Sequence, residues 1–401
     1  MCLARKAHRL KLKMIEDSRE VASAINAYLP EMMELRHQIH SNPETGFEEK
    51  ATSAIVSKLL QEWGYDVSHL AGTGIVATLK AGNGIKTLGL RADMDALPVN
   101  EQTGLSYASK NSGKMHACGH DGHTSSLLTA ARYLARTKQF SGTVNLIFQP
   151  AEEGLGGARR MVEEGIFEKF PCDAIFGYHN VPGVPAGNFC FIPGAATAAS
   201  DRARIVVKGK SGHGAQPETA IDPIVVGAAI VSSLQTIVSR NVTALKPAVV
   251  TVASFHAGEA YNIIPATAEL KLTIRSYDET TRNLLEKRVR EIAEYQADVF
   301  GAKCEIDYFH LNPACQNNRE LTAFARSVAE EAFGKSAIED RSQPFTFSED
   351  FSYMLQKKQG CYLFIGNGNT ANLHSDHYNF NDDLLLRAST FWVRLVESYL
   401  C

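Results

Sequence analysis

The hydrophobic positions of this chain change their pattern twice. In the first part, helical and strand periods alternate. Residues 51–63 carry an amphipathic helical repeat that stops at Gly64, a good helix terminator. Residues 74–79 and 87–91 read as strands. Residues 123–135 place Leu127, Leu128, Ala131 and Leu134 at helical spacing. Residues 144–148 and 174–177 are short apolar runs of the kind buried on both faces of a sheet. Strands alternating with helices predict an α/β domain built on a mostly parallel sheet.

From about 201 to 309 the order differs. A strand at 204–207 precedes a helix at 223–239, opened by Asp222 and Pro223. Strands follow at 249–255 and 268–274, then a long charged amphipathic helix at 278–300 and a strand at 304–308. That is β-α-β-β-α-β, the split ferredoxin-like unit. The α/β pattern then resumes, with a helix at 318–333, a buried strand at 361–365 and a closing helix at 383–399. The expectation is a discontinuous domain, 1–197 and 312–401, interrupted by a small α+β domain at 198–311.

Composition narrows the function classes. The 401 residues are 44% hydrophobic and 21% charged, ordinary globular usage that excludes a wholly disordered chain. The formal net charge of -3 leaves no basic footprint for nucleic acid. No uninterrupted apolar run approaches the ~18 residues that span a bilayer, and the longest candidate covers 223–231. The basic N-terminus, residues 1–14, lacks the apolar stretch of a secretory signal and reads as a tail. Eight cysteines without paired spacing suit reduced thiols in a cytoplasmic protein. Two glycine-rich pieces, 72–74 and 154–157, complete no phosphate loop.

Five loops collect metal-seeking side chains. Cys118 and His120 flank a glycine, so both can turn toward one ion, and Cys with His suits zinc or a similar divalent metal. Glu152 and Glu153 follow the strand at 144–148, where α/β proteins place their ligand sites. Adjacent carboxylates point in different directions, so one can bind metal while the other handles a proton. His179 follows a second apolar strand and His374 a third. Asp93 and Asp95 end the strand at 87–91, where carboxylates can orient ligand imidazoles. Each loop also has a plain reading as a turn with polar residues. Five such loops in one structural context favour a single metal centre.

These motifs resemble the metallo-aminoacylase and carboxypeptidase superfamily, in the branch of hippurate hydrolases, N-acyl-L-amino acid amidohydrolases and auxin-conjugate hydrolases. The stretches that carry the resemblance are HQIHSNPETGFEE (37–49), LRADMDALPV (90–99), GKMHACGHDGHT (113–124), FQPAEEGLGGARRMVEEG (148–165), GYHN (177–180), SGHGAQPETAIDP (211–223), YNIIPATAEL (261–270), SEDFSYM (348–354) and LHSDHYNFND (373–382). They run through nearly the whole chain.

The resemblance implies Cys118, His120, Glu153, His179 and His374 as ligands of one or two divalent ions, zinc or manganese, with cobalt or nickel as alternatives. It implies Glu152 as general base and acid, supported by Asp95. Asp93 stands where other branches carry a metal-binding His. His213 is implied to act on a substrate held by a partner subunit, and Asn262 and Arg275 to bind the substrate carboxylate. It further implies dimers or tetramers joined through the inserted domain. The expected activity is hydrolysis of N-acyl or N-aroyl amino acids, a small-molecule reaction without nucleic acid or membrane. A dipeptidase or carboxypeptidase would use the same centre. A hydrolase with Cys118 as nucleophile, activated by His120 or His123, and a non-catalytic metal-binding protein are readings from other classes.

Overall fold

The computed structural model describes residues 16–401, so the basic stretch 1–14 lies outside the described residues. Two compact units emerge. One runs through Ala196 and resumes at Gln316–Gln343 and Asp350–Cys401; the other comprises Thr197–Cys315 and Pro344–Glu349. The second unit therefore also takes in 312–315 and 344–349. Backbone bonds hold these pieces: Ser200 N donates to Asn312 O (2.9 Å) and Ala198 N to Phe347 O (3.0 Å).

The first unit is built on an eight-stranded sheet. Its strands include β1 (Asp66–Leu70), β2 (Gly74–Ala81), β3 (Thr87–Asp93), β4 (Gly142–Gln149), β5 (Ala174–Pro182) and β6 (Phe189–Cys190). The spatial order is β1-β2-β4-β3-β5, then Gly360–Gly368, β6 and Ile338–Glu339. The central four, β4, β3, β5 and Gly360–Gly368, run parallel. β1 and β2 add an antiparallel edge, and β6 lies antiparallel to Gly360–Gly368. The sheet is thus the mostly parallel one expected.

Strands buried on both faces need no polar alternation. Six of the last six residues of β4 and all of 360–367 are buried accordingly. Helix His120–Thr137 covers the sheet with Leu127, Leu128, Ala131 and Leu134, all inaccessible to solvent. Helix Asp383–Tyr399 packs on it, and Trp392 meets Tyr178 at a ring separation of 5.6 Å.

The second unit has the predicted ferredoxin-like order. Its antiparallel sheet runs Val249–Ala257, Thr267–Ser276, Ala199–Lys208, Lys303–His310. Alternate residues Ala203, Ile205 and Val207 point to the buried side, as do Leu270, Leu272 and Ile274 of the neighbouring strand. Helices Pro223–Thr236 and Glu279–Val299 close that face with Val226, Ile230, Leu234, Leu285 and Val289. The opposite face carries the Arg204–Glu269 ion pair (2.6 Å).

The first helix continues in one π turn to Asn241, and Pro223–Asn241 is long and apolar enough, by composition alone, to cross a membrane (19 residues, mean hydropathy 1.4). Its apolar run is not unbroken, because Ser232, Ser233 and Gln235 interrupt it without lowering the average far. In the fold its Val226, Ile230, Leu234 and Ile237 belong to the small unit's core.

Candidate metal centre

Parallel strands release their following loops at the same sheet edge. Asp93 at the end of β3 lies opposite Gln149 at the end of β4, and His179 of β5 lies opposite Phe364. The loops carrying Asp95, Glu152, Glu153 and His374 therefore leave from neighbouring strands. The Cys118–His120 loop joins them from the start of helix His120–Thr137. Gly119 between the two donors has φ 92°, and a Cβ there would stand 2.3 Å from Asn180 Oδ1 and 2.6 Å from the Tyr378 hydroxyl. Only glycine fits this bend.

The five predicted ligands and Glu152 converge. Single donor atoms of Cys118, His120 and His179 all lie within 4.8 Å of one another, as do those of Cys118, Glu153 and His374, and those of His120, Glu152 and Glu153. Cys118 Sγ is 3.3 Å from His179 Nε2, and His374 Nε2 is 3.2 Å from Glu153 Oε1. His374 adopts φ 66°, and its N–H donates to Ala117 O (2.7 Å), tying the last loop to the first.

Outer partners fix two of the three imidazoles. His120 Nδ1 donates to Asp95 Oδ1 (3.2 Å), and Asp95 Oδ2 accepts the Glu153 N–H (3.0 Å). Asp95 thus holds the His120 ring and the Glu153 backbone together. His179 Nδ1 donates to Asn180 O (2.6 Å), which leaves Nε2 with its lone pair toward Cys118. Glu152, buried, accepts the Asp350 N–H on Oε1 (3.3 Å).

The electrostatics suit a cation. Burial opposes charge on His120, but Asp93, Asp95 and Glu153 outweigh it and raise its pKa to about 10. Burial pushes the Cys118 thiol well up, and the charges of Glu153, Glu152 and Asp93 add to it. His120 Nε2 is buried and has no hydrogen-bond partner among the described residues. A field that retains a proton on His120 and resists a bare thiolate is one that a divalent ion satisfies. The donor set of thiolate, imidazoles and carboxylates fits such an ion.

The description "Peptidase family M20/M25/M40" matches residues 89–398. The chain belongs to this family. It is accordingly a hydrolase acting on amide bonds. Among its curated relatives, a hippurate hydrolase of Campylobacter jejuni is 47% identical over 371 residues, covering 92% of this chain and 97% of that protein. An N-acetylcysteine deacetylase of Bacillus subtilis is 36% identical over 375 residues, 93% and 97% of the two chains. Among solved structures, a dinuclear metal-binding peptidase of the M20 family from Bacillus subtilis superposes with a TM-score of 0.81 at 32% identity, covering 94% and 99%.

Arg36, His40 and Arg91 of this M20 hydrolase escaped the sequence reading, and His123 entered it only as an activator of Cys118. His123 Nδ1 donates to Asp93 Oδ1 (2.6 Å), while Asn180 N donates to His123 Nε2 (3.1 Å). Arg91 is buried and bonds Gln149, Asp93 and Asp350. Arg36, also buried, pairs with Asp121 (2.8 Å), the residue after His120, and with Asp382 (3.3 Å). His40 reaches the same Asp121 oxygen at 2.8 Å. The 37–49 and 373–382 motifs hinted at this network, but no spacing says which distant residue they meet.

The remaining predicted residues belong to the second unit. His213 and Asn262 are exposed on the short ladder formed by Gly212–His213 and Ile263–Ile264, where Gly214 N donates to Asn262 O (2.8 Å). Arg275 is half-buried near the end of strand Thr267–Ser276 and donates to Thr273 Oγ1 (2.8 Å) and Ile274 O (3.0 Å).

The surroundings of Cys118 count against the nucleophile reading. An attacking thiol needs an electropositive site that favours thiolate. Here Glu152, Glu153 and Asp93 press the other way, and His120 is turned toward Asp95.

Proposed function

We propose that this enzyme hydrolyses N-acyl and N-aroyl amino acids of the hippurate type into a carboxylic acid and an amino acid. In this reading Cys118, His120, Glu153, His179 and His374 hold one or two divalent ions, and Glu152 is the general base and acid. The observation that carries it is the convergence of these five donors around a buried, backbone-anchored Glu152. The names of the two curated relatives support the substrate class. Thiolate with imidazole favours zinc, and the carboxylates also accommodate manganese; cobalt and nickel remain in the same donor class.

Bound there, a divalent ion supplies Lewis acidity to the amide carbonyl and acidifies water. The protein does the rest. Glu152 takes a proton from the attacking water as its oxygen bonds the carbonyl carbon. It then delivers that proton to the leaving nitrogen as the C–N bond breaks. Asp95 keeps the His120 ring and the Glu153 backbone in place throughout. Arg275 receives the free α-carboxylate, Asn262 hydrogen-bonds the same half of the substrate, and His213, exposed, stabilises the oxyanion in the site of a partner subunit.

Pairing through the second unit is supported by its surface. Helix Pro223–Thr236 exposes Ile224 and Val225, and the edge strand Val249–Ala257 exposes Val249 and Phe255. An uncovered apolar face beside an open strand edge suits a second copy in closed symmetry. A cytoplasmic setting is supported by the cysteines, since all seven among the described residues are free thiols.

Glu152→Gln tests the assignment. It should retain the metal and lose kcat by at least about 10²-fold on hippurate. Near-normal turnover with full metal content removes Glu152 from its role. Assaying hippurate, an acetyl-amino acid and a dipeptide side by side separates the acylase reading from a dipeptidase.

A further inference from the structure

The turn that carries Glu152 and Glu153 begins on an unusual residue. Ala151 adopts φ 52°, a left-handed conformation that L-residues with a Cβ disfavour. Such a conformation persists only where its surroundings impose it. Both polar groups of the Ala151 backbone are held. Its carbonyl accepts the Gly157 N–H (3.0 Å). Its own N–H donates to Glu49 Oε1 (2.8 Å).

Glu49 is a buried carboxylate with zero exposure. Among the described residues it makes no ion pair, and nothing in the chemistry above uses it. Its other oxygen accepts the Thr73 hydroxyl (2.5 Å) in the turn between β1 and β2. Its backbone carbonyl accepts the Ser53 N–H (2.9 Å) at the start of helix Lys50–Glu62. The β1–β2 turn is itself tied down, since Ala71 N donates to Glu164 Oε2 (2.7 Å). The carboxylate is therefore fixed from two sides before it reaches Ala151.

We propose that Glu49 is a positioning residue: its carboxylate holds Ala151 in the left-handed conformation that aims Glu152 at the reacting water and Glu153 at the metal. This rests on the proposed function for its kinetic consequence but not for its structural one. Glu49 touches neither substrate nor metal. Without it, the Ala151 N–H loses its buried partner and the turn relaxes toward ordinary backbone angles. A displacement of about 1 Å at a reacting group is worth up to about 10²-fold in rate.

The test compares Glu49→Ala, Glu49→Gln and both changes in an Ala151→Gly background. Each protein is loaded with zinc and assayed on hippurate for kcat and KM. Zinc affinity is measured separately by competition with a chelating dye. Glu49→Ala should lower kcat by about 10²-fold with KM within about twofold, and should weaken zinc about tenfold through Glu153. Glu49→Gln keeps an oxygen for the Ala151 N–H and should recover both values to within about threefold. Glycine adopts φ 52° unaided, so in the Ala151→Gly background the loss caused by Glu49→Ala should shrink to below about tenfold.

Should Glu49→Ala not fold on its own, the Ala151→Gly pair carries the comparison. Values for Glu49→Ala within threefold of the parent in both kcat and zinc affinity overturn the proposal. So does a loss undiminished by Gly at 151. Wild-type protein that binds zinc but cleaves no acyl-amino acid would defeat the proposed function instead, and the zinc measurements would still decide the role of Glu49.

Discussion

Arg36 has no exposed surface, and it pairs with Asp121 and Asp382 while its terminal nitrogen also meets Asn379. Burying a guanidinium is costly, so its partners must be fixed. Asp121 follows His120 directly, so the cluster also sets the first turn of the helix that presents the ligand. Burial works against the charge on Asp121, but Arg36 and His40 outweigh it and hold its carboxyl far below the usual range. Replacing Arg36 with Met leaves that charge with His40 alone and should cost about 3–5 kcal/mol in urea or guanidinium unfolding. A loss under 1 kcal/mol would mean that His40 alone suffices. The contrast with the donors is instructive. Cys118, His120, Glu152, Glu153, His179 and His374, which the fold brings together, could be picked out because metal chemistry restricts residue type and the flanking sequence is stereotyped. Arg36, Glu49, Arg91, His123 and Asp350 were not, because each acts through a partner tens or hundreds of residues away. A lone buried Arg or Glu looks like any surface charge until that partner is seen.

Among the elements, those with a strong period or an apolar run were readable. The strand cores at 144–148, 174–177 and 361–365 lie within observed strands, and the β-α-β-β-α-β order of the small unit is present. Helix Leu29–Ser41 and strand β1 are not legible in the sequence. The helix has a polar composition around its buried Met32, Arg36 and Ile39, and β1 is mostly exposed, so neither shows a clean stripe. Helix Glu279–Val299 offers a local test. Asp278 caps it, accepting the Thr281 N–H (2.9 Å) and the Thr281 hydroxyl (2.8 Å). Asp278→Ala should cost about 1 kcal/mol, measured by denaturant unfolding. The pH dependence has a defined sign. Partial burial works against the charge, but the Thr281 N–H and Lys246 outweigh it and lower the Asp278 pKa below 3.8. The cap therefore contributes above the ordinary carboxyl range, and its share is lost as pH falls through the lowered value. The difference between Asp278→Ala and wild type should narrow in acid; a constant gap from pH 7 to pH 3 would contradict this.

For the molecule as a whole, the centre joins segments far apart in sequence: 118–120, 152–153, 179 and 374. An ion bound by the folded chain alone stabilises it by mass action, about 2.7 kcal/mol at a hundredfold excess over Kd. Stripping divalent metal with a chelator should lower the thermal midpoint of the catalytic unit by at least about 5 °C, and restoring zinc should reverse the drop. Scanning calorimetry with and without the metal checks this; identical midpoints would mean that the donors are held without an ion.

The placement of strand Gly360–Gly368 beside β5, with His374 shortly after it, has a consequence during biosynthesis. While the ribosome is still translating the region before 360, the sheet lacks one of its central parallel strands and the set of candidate donors lacks His374. The inserted unit contributes its own four strands from residues 199–310, so its sheet can close while the metal-binding sheet is still unfinished. The nascent polypeptide consequently cannot bring the candidate donors together before residue 374 has been added.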